Sequence, residues 1–272
     1  MIPLKSTISL FLRTMIARAY PRVVGVRRQP SWVLHEALMP ILSIAAFGFI
    51  YRAMRAPEQY IGFVILGGAM TAFWLNVLWS MGAQLYWERS SGNLELYIMA
   101  PAPMMAVLAG MAVGGMMLTC IRATVIITGG ILLFQVSFAP TSWALLILVF
   151  LLTLLALYGL GMMFASVFLL WGREAWHIVN LLQEPVYLLT GMNYPLKVFP
   201  TFLATVAAVI PLTAGMDAMR QILFSADGFW PLGVEVGLLA ALSVLFLFLA
   251  QRFLGYLERR SRQEGRISVK WQ

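Results

Sequence analysis

Long apolar segments separated by short polar turns are the feature that most constrains how this chain can fold. Hydrophobic residues make up 61% of the 272 residues and charged residues only 11%, against about 25% charged in a typical soluble domain. A helix needs about twenty apolar residues to cross a bilayer. We therefore predict an all-α integral membrane protein that forms a single transmembrane domain over residues 1–272 and has six transmembrane helices. The predicted spans are residues 32–51, 60–86, 104–134, 143–171, 175–190 and 232–253.

The segment between the fifth and sixth predicted spans, residues 192–231, does not fit a full crossing. Its apolar run Thr201–Ile210 is bounded by Pro200 and Pro211, and about ten residues are half of what a span requires. A short helix satisfies its own backbone groups and is tolerated in the membrane beside protein. We expect outer re-entrant helices here.

The basic residues predict the orientation. The first 30 residues contain six of them, and the polar tail 255–272 contains several more, whereas few lie in the predicted outer loops. By the positive-inside rule both termini are expected to be cytoplasmic. The net charge of +8 is therefore assigned to membrane topology, and no nucleic-acid partner is expected.

Residues 1–30 are expected to form a cytoplasmic amphipathic helix and not a cleaved signal peptide, because arginines interrupt every apolar run. Ile8, Leu12, Met15 and Ile16 share a helical face, which suits an anionic membrane surface. A linker without a role of its own is the alternative.

A polar island interrupts the apolar segments at residues 88–103. Ser90 and Ser91 are predicted to cap a helix of about two turns, and Pro101 and Pro103 end it. Its polar side chains, Glu88 among them, are expected to be free to meet an outside partner. An ordinary capped loop is the alternative on spacing alone.

Three motifs stand out in the sequence, one in the polar island and two flanking the predicted re-entrant helices. The motifs are Glu88-Arg89-x-x-Gly92-Asn93-Leu94-Glu95 with Pro101-x-Pro103; Leu189-Thr190-Gly191-Met192-Asn193-Tyr194-Pro195 with Pro200; and Ile210-Pro211-Leu212-Thr213 with Asp217-Ala218-Met219-Arg220. Together they resemble the type-2 ABC exporter permeases, the membrane subunits of exporters for drugs, lipids and lipid-linked polysaccharides. Asn193-Tyr194 before Pro195 departs from the smaller or apolar residues expected there.

The resemblance implies a multi-pass protein of the bacterial cytoplasmic (inner) membrane. It implies a second permease copy or a sister permease, two copies of a cytoplasmic ABC ATPase subunit, and contact with membrane lipids. The polar island would be the coupling helix that docks on the ATPase. Its coupling residues would be Glu88, Arg89, Gly92, Asn93, Leu94 and Glu95, and the re-entrant region would be marked by Gly191, Pro195, Pro200, Pro211, Asp217 and Arg220.

The chain contains no G-x-x-x-x-G-K-S/T phosphate-binding loop. We therefore expect a permease without its own ATPase site, with ATP and Mg on the partner ATPase and no cofactor bound by this chain. His35 and His177 lack metal-ligand spacing, so no metal site is expected.

Two ionisable residues lie inside predicted spans, where charges are rare and usually have a partner. Arg122 on the third span and Glu184 on the fifth lie at comparable depth. An ion pair between them is the preferred interpretation, and contact of Arg122 with an anionic substrate is the alternative.

Aromatic and polar side chains at helical spacing on the second and fifth spans are candidates for a substrate path. They are Phe73, Trp74, Val77, Ser80, Met81, Gln84, Asn180, Gln183 and Tyr187. Contacts between helices would explain the same pattern, and only the family resemblance favours the path.

The predicted function is export of a hydrophobic or amphipathic drug or lipid, and export of a lipid-linked polysaccharide or oligosaccharide is the alternative. An intramembrane enzyme and a non-transporting scaffold are rivals from other classes. The enzyme would need a nucleophile–base pair or a metal cluster, and the chain carries no G-x-S-x-G motif.

Overall fold

The structure is a computed structural model that describes residues 4–28, 30–171 and 174–264. Every regular element in this part of the chain is helical, as predicted. The α-helices are α1 (Leu4–Arg28), α2 (Pro30–Ala53), α3 (Glu58–Leu75), α4 (Gln84–Ser90), α5 (Asn93–Met99), α6 (Met104–Phe134), α7 (Trp143–Trp171), α8 (Glu174–Leu189), α9 (Thr201–Ala207), α10 (Pro211–Phe224) and α11 (Leu232–Glu264).

A π-helical stretch, Asn76–Gly82 and hereafter the π segment, joins α3 to α4. Together these three elements form one long apolar helix, Glu58–Ser90. It lies at the centre of the molecule, where α2, α6, α7 and α10 pack around it. Phe73 and Trp74 are almost fully buried, and the Phe73 ring meets that of Phe150 on α7 edge-to-face at 5.6 Å.

Four helices are long and apolar enough to cross a membrane in the described residues. These are Glu58–Ser90, Met104–Phe134, Trp143–Ser166 and Leu232–Leu257, and they match the second, third, fourth and sixth predicted spans. The pair α9 and α10, which bends by 108°, would make a fifth if it were one broken span.

The first and fifth predicted spans correspond to α2 and α8. The apolar described part of α2 is Leu38–Ala53, and α8 has 16 residues. A helix of 16 residues is about 24 Å long, short of the roughly 30 Å hydrocarbon core. The structure therefore supports a multi-pass membrane protein with four or five candidate spans, and the count of six stays a prediction.

The N-terminal helix α1 lies along α6. Gly110 and Gly114 of α6 make this close approach possible, since a Cβ atom at Gly110 would lie 2.5 Å from the Met15 carbonyl oxygen and one at Gly114 3.1 Å from that of Ala19. The opposite face of α1 exposes an apolar row of Ile8, Leu12, Ile16 and Tyr20. The helix α1 thus carries an exposed apolar row, and its predicted place on the cytoplasmic membrane surface stays a prediction.

The C-terminal boundary differs from the prediction. The last helix α11 continues to Glu264, so the predicted tail 255–272 begins inside a helix. Residues 265–272 lie outside the described part of the chain.

Candidate functional site

The polar island folds into a hairpin of two seven-residue helices, α4 and α5. The turn between them is made by Gly92, whose φ of 76° is left-handed, a conformation that glycine adopts without steric cost. Leu85 of α4 and Leu94 of α5 are buried in the core and anchor both helices. Residues 84–99 therefore extend directly from the long central helix, and we call them the coupling hairpin after the role that the family resemblance implies for this segment.

The hairpin is held together by the carboxylate of Glu88. Its Oε2 accepts hydrogen bonds from Asn93 Nδ2 at 3.0 Å and Tyr97 Oη at 3.2 Å, both on α5. Its Oε1 accepts from Gln84 Nε2 at 2.7 Å and forms an ion pair with Arg18 of α1. Both helices of the hairpin and α1 thus meet at one carboxylate.

Glu88 is only 7% exposed, so the prediction that it is free for an outside partner is wrong. The physical reason is that a buried carboxylate needs donors, and four donors from its own chain surround it. The helix also breaks at Gly92, so Glu88 lies on α4 and Glu95 on α5.

The predicted serine cap is also wrong. Gly92 precedes α5, and no side chain caps that helix; Ser90 Oγ instead donates to the Trp87 carbonyl oxygen at 2.8 Å. A glycine with positive φ lets the chain reverse at this point, so the turn depends on backbone conformation and not on a side-chain cap.

Tyr97 joins the same cluster from α5. The Arg18 guanidinium lies 5.2 Å from the centre of its ring, a cation–π contact. Burial, together with the hydrogen bond to Glu88, raises the pKa of the Tyr97 phenol, so it remains a neutral donor. This arrangement fixes α5 against α4 and α1.

The outward surface of the hairpin is partly apolar. Leu96 is 60% exposed and Met99 is 74% exposed, on the helix whose other side carries buried Leu94. Such an apolar patch at the end of a span favours contact with lipid or with another protein. Arg89 is half-buried, and the Glu95 side chain lies outside the described part of the structure.

The second and third motifs of the sequence come together at the opposite end of the central helix. Arg220 of α10 is buried and donates to the carbonyl oxygens of Gly191 at 2.7 Å, Tyr194 at 3.0 Å and Met192 at 3.1 Å. Its guanidinium also lies 4.7 Å from the Phe63 ring centre on α3. Arg220 thereby fixes the loop that follows α8.

The other residues of that region have identifiable local roles. Gly191 has a left-handed φ of 63°, Pro195 and Pro200 precede the short helix Leu196–Val198 and α9, and Pro211 begins α10. Asp217 is buried and accepts from the Phe229 N–H at 2.6 Å, so it holds the loop between α10 and α11.

The substrate-path candidates occupy different environments. Phe73, Trp74, Val77 and Met81 are buried inside the single chain, which makes them core residues there. Ser80 and Gln84 are half-buried beside α1, and on α8 Asn180 is exposed. Gln183 and Tyr187 are half-buried, and Gln183 Oε1 accepts from Trp79 Nε1 at 3.0 Å.

Arg122 is half-buried on α6, where it lies within electrostatic range of Tyr158. Glu184 is exposed on α8 and accepts a long hydrogen bond from Gln183 at 3.4 Å. The pairing of these two residues stays a prediction. The described residues contain no group of three or more His, Cys, Asp or Glu side chains that could hold a metal.

Sequence reasoning missed Arg18 and Arg22 of α1. Their spacing was a usable signal, since residues four apart share a helical face. Arg18 and Arg22 therefore share a face of α1, opposite its apolar row. Their partners are far away in sequence and could not be read from spacing.

The family is decided by comparison with known proteins. The model of the ABC-2 type transporter matches residues 12–224. The chain belongs to the ABC-2 type transporter family. That match includes the coupling hairpin, the central helix, and Arg220 with the loop that it holds after α8.

Two curated relatives are similar to part of this ABC-2 family member. Each is named "Probable multidrug ABC transporter permease YbhR", one from Escherichia coli strain K12 and one from Escherichia coli O157:H7. Each is 26% identical over 152 residues, which cover 53% of this chain and 41% of the relative. The matched part therefore spans less than half the length of these relatives.

Proposed function

We propose that this protein is the membrane-spanning permease subunit of an ATP-driven ABC exporter. The observation that carries the proposal is the coupling hairpin, a two-helix unit at the end of the central helix that hydrogen bonds to Glu88 hold together, in a chain of the ABC-2 family. A rigid unit transmits force, because a load applied to it moves the helix to which it is joined.

The partner is a cytoplasmic ABC ATPase subunit in two copies, which binds ATP and Mg. The hairpin docks on it through the exposed side of α5, where Leu96 and Met99 supply apolar contact; the carboxylate of Glu95 on the same helix is proposed to meet basic residues of the ATPase. Glu88 is buried and does not contact the ATPase; its role is to hold the two helices of the hairpin together.

The chain pairs with a second permease, identical or sister, in the bacterial inner membrane, and both termini face the cytoplasm. In this arrangement α2 and α8 complete six spans, and α9 and α10 are the outer re-entrant helices. The bend of 108° between α9 and α10 supports the re-entrant path, and the basic N- and C-terminal segments support the orientation.

The substrate is a hydrophobic or amphipathic drug or lipid. The multidrug permease named among the relatives supports this class. Asn180 of α8 is exposed on the single chain. A second permease that packed against α8 would place this polar side chain at a shared interface.

Arg122 and Glu184 are proposed to form a structural pair in the assembled permease. Leaving one of them unpaired costs several kcal/mol, since the remaining charge keeps its desolvation penalty. A double-mutant cycle of Arg122→Ala and Glu184→Ala in thermal stability would show coupling if they touch, and strictly additive losses would refute the pair.

The test of the function is charge reversal on the hairpin. Glu95→Arg is expected to leave the protein folded and inserted while weakening co-purification of the ATPase and substrate-stimulated ATP hydrolysis. Glu58→Arg is the matched control, because Glu58 is exposed at the other end of the same long helix. Wild-type binding and hydrolysis in Glu95→Arg would contradict the docking assignment.

A further inference from the structure

A single arginine of α1, Arg22, bridges α6, the π segment and the first helix of the hairpin, α4. Arg22 Nη1 donates to the Met111 carbonyl oxygen on α6 at 3.2 Å. Its Nη2 donates to the Ser80 carbonyl oxygen in the π segment at 2.7 Å and to Gln84 Oε1 on α4 at 2.6 Å. The guanidinium therefore contacts the point at which the central helix passes into the hairpin.

This point is where the hydrogen-bond register of the central helix changes. In a π-helix each N–H bonds a carbonyl five residues earlier, and in an α-helix four residues earlier. Backbone carbonyls at such a change need donors from elsewhere to be fully satisfied, and Arg22 supplies one to Ser80. A planar fork of several N–H groups suits this task better than a single ammonium.

Helix α6 is shaped to let Arg22 reach this position. A Cβ atom at Gly114 would lie 3.2 Å from Arg22 Cβ, and one at Gly115 would lie 3.1 Å from Arg22 Nη1. Both distances are tight, so glycine gives the arginine its path along the helix. Gly115 also faces Asn76 Oδ1, which a Cβ would approach to 2.6 Å, and Tyr158 donates to that oxygen from α7 at 3.0 Å.

Arg22 remains charged in this setting. Burial, followed by the neighbouring Arg18 guanidinium, lowers its pKa to about 10, which is still well above neutral pH. Its bonds to Ser80 and Gln84 are therefore charge-assisted, and such bonds are stronger than neutral ones.

We infer that Arg22 is a positioning residue for coupling, which holds the π segment and thereby sets the direction in which the hairpin leaves the central helix. This inference rests on the proposed function. A load on the hairpin reaches the central helix through the π segment, and Arg22 ties that segment to α1 and α6. Without the hydrogen bonds of Arg22, the central helix can bend at the register change. Motion of the hairpin then no longer moves the opposite end of the central helix.

The test uses the full chain with its ATPase, in lipid nanodiscs, with spin labels at two exposed positions. Cysteines replace Ser91 at the turn of the hairpin and Val198 at the opposite end, both exposed and both outside the docking side of α5, in a Cys120→Ala background. The distance between the labels is measured with and without ATP trapped by vanadate. The wild type is expected to change distance on trapping.

The Arg22→Gln variant is expected to bind the ATPase and hydrolyse ATP. After trapping, however, the ratio of molecules at the new label distance to molecules at the original distance should fall by about tenfold. Arg22→Lys keeps the charge but not the fork, and its loss is expected to be smaller; it decides the question if Arg22→Gln fails to assemble. Arg13→Gln is the matched control, since Arg13 is exposed on the same helix, and it should behave as wild type.

An unchanged distance response in Arg22→Gln, or in Arg22→Lys where that variant decides, would overturn the inference while leaving the proposed function standing. A wild type that binds no ATPase or shows no response to trapped nucleotide would instead overturn the proposed function, and this inference with it. A loss of response equal in Arg13→Gln and Arg22→Gln would also overturn it, because the effect would then belong to the charge of α1 in general.

Discussion

Arg18 and Glu88, 70 residues apart in the sequence, form an ion pair that joins the N-terminal helix to the coupling hairpin. The Glu88 side chain is 8% exposed and that of Arg18 is 21% exposed, so water competes little for either charge. This ion pair consequently ties the N-terminal helix to the hairpin.

Breaking this pair is expected to destabilise the protein. Glu88→Gln and Arg18→Met should each cost about 2 kcal/mol, because each leaves a partly buried charge without its partner. Thermal unfolding in detergent measures both, and the double mutant should recover at least about 1 kcal/mol of the summed loss. Simple additivity of the two losses would mean that the ion pair contributes nothing.

The turn of the hairpin gives a second prediction. Gly92→Ala should cost about 1 kcal/mol, because alanine is strained at a positive φ, although open space surrounds the position. The control is Gly255→Ala in α11, which also has open space around its Cβ position but no positive φ, and it should be neutral or stabilising. Equal effects of the two substitutions on the melting temperature would contradict the role given to the turn.

Much of the fold follows from the sequence because its causes are local. Hydropathy and prolines define where helices begin and end, so residues 104–134 and 143–171 are predicted with the bounds observed for α6 and α7. The register change at Asn76–Gly82 has no such local signature, since the segment is apolar like its neighbours.

The candidate site was predicted less completely, and for a physical reason. The family resemblance implied that Gly92, Asn93 and Leu94 belong to a coupling helix, but a single helix was predicted there and not the hairpin that turns at Gly92. That Glu88 points inward depends on Arg18, which reaches it only after α1 packs on α6. Contacts made across such sequence distances depend on tertiary packing and not on spacing.

The outer loop yields a third prediction. Arg220→Lys should cost about 3 kcal/mol, since the single ammonium of lysine does not reproduce the fork in which Nη1 donates to Tyr194 and Nη2 to Gly191 and Met192. Arg252→Lys is the matched control, because Arg252 is exposed on α11 and its guanidinium lies 5.0 Å from the Phe248 ring centre; its effect should stay within about 0.5 kcal/mol. A tolerated Arg220→Lys in thermal unfolding would show that the loop is held by other contacts.

The most direct measurement is site-specific photo-crosslinking in whole cells from position 96. Leu96 is 60% exposed on α5, and a photoreactive amino acid there should crosslink to the cytoplasmic ABC ATPase. The same amino acid at Glu58, at the other end of the long helix, should not. Crosslinks to the ATPase from position 96 alone would support the coupling hairpin, whereas their absence from position 96, or labelling of that position by an impermeant reagent from outside, would contradict it.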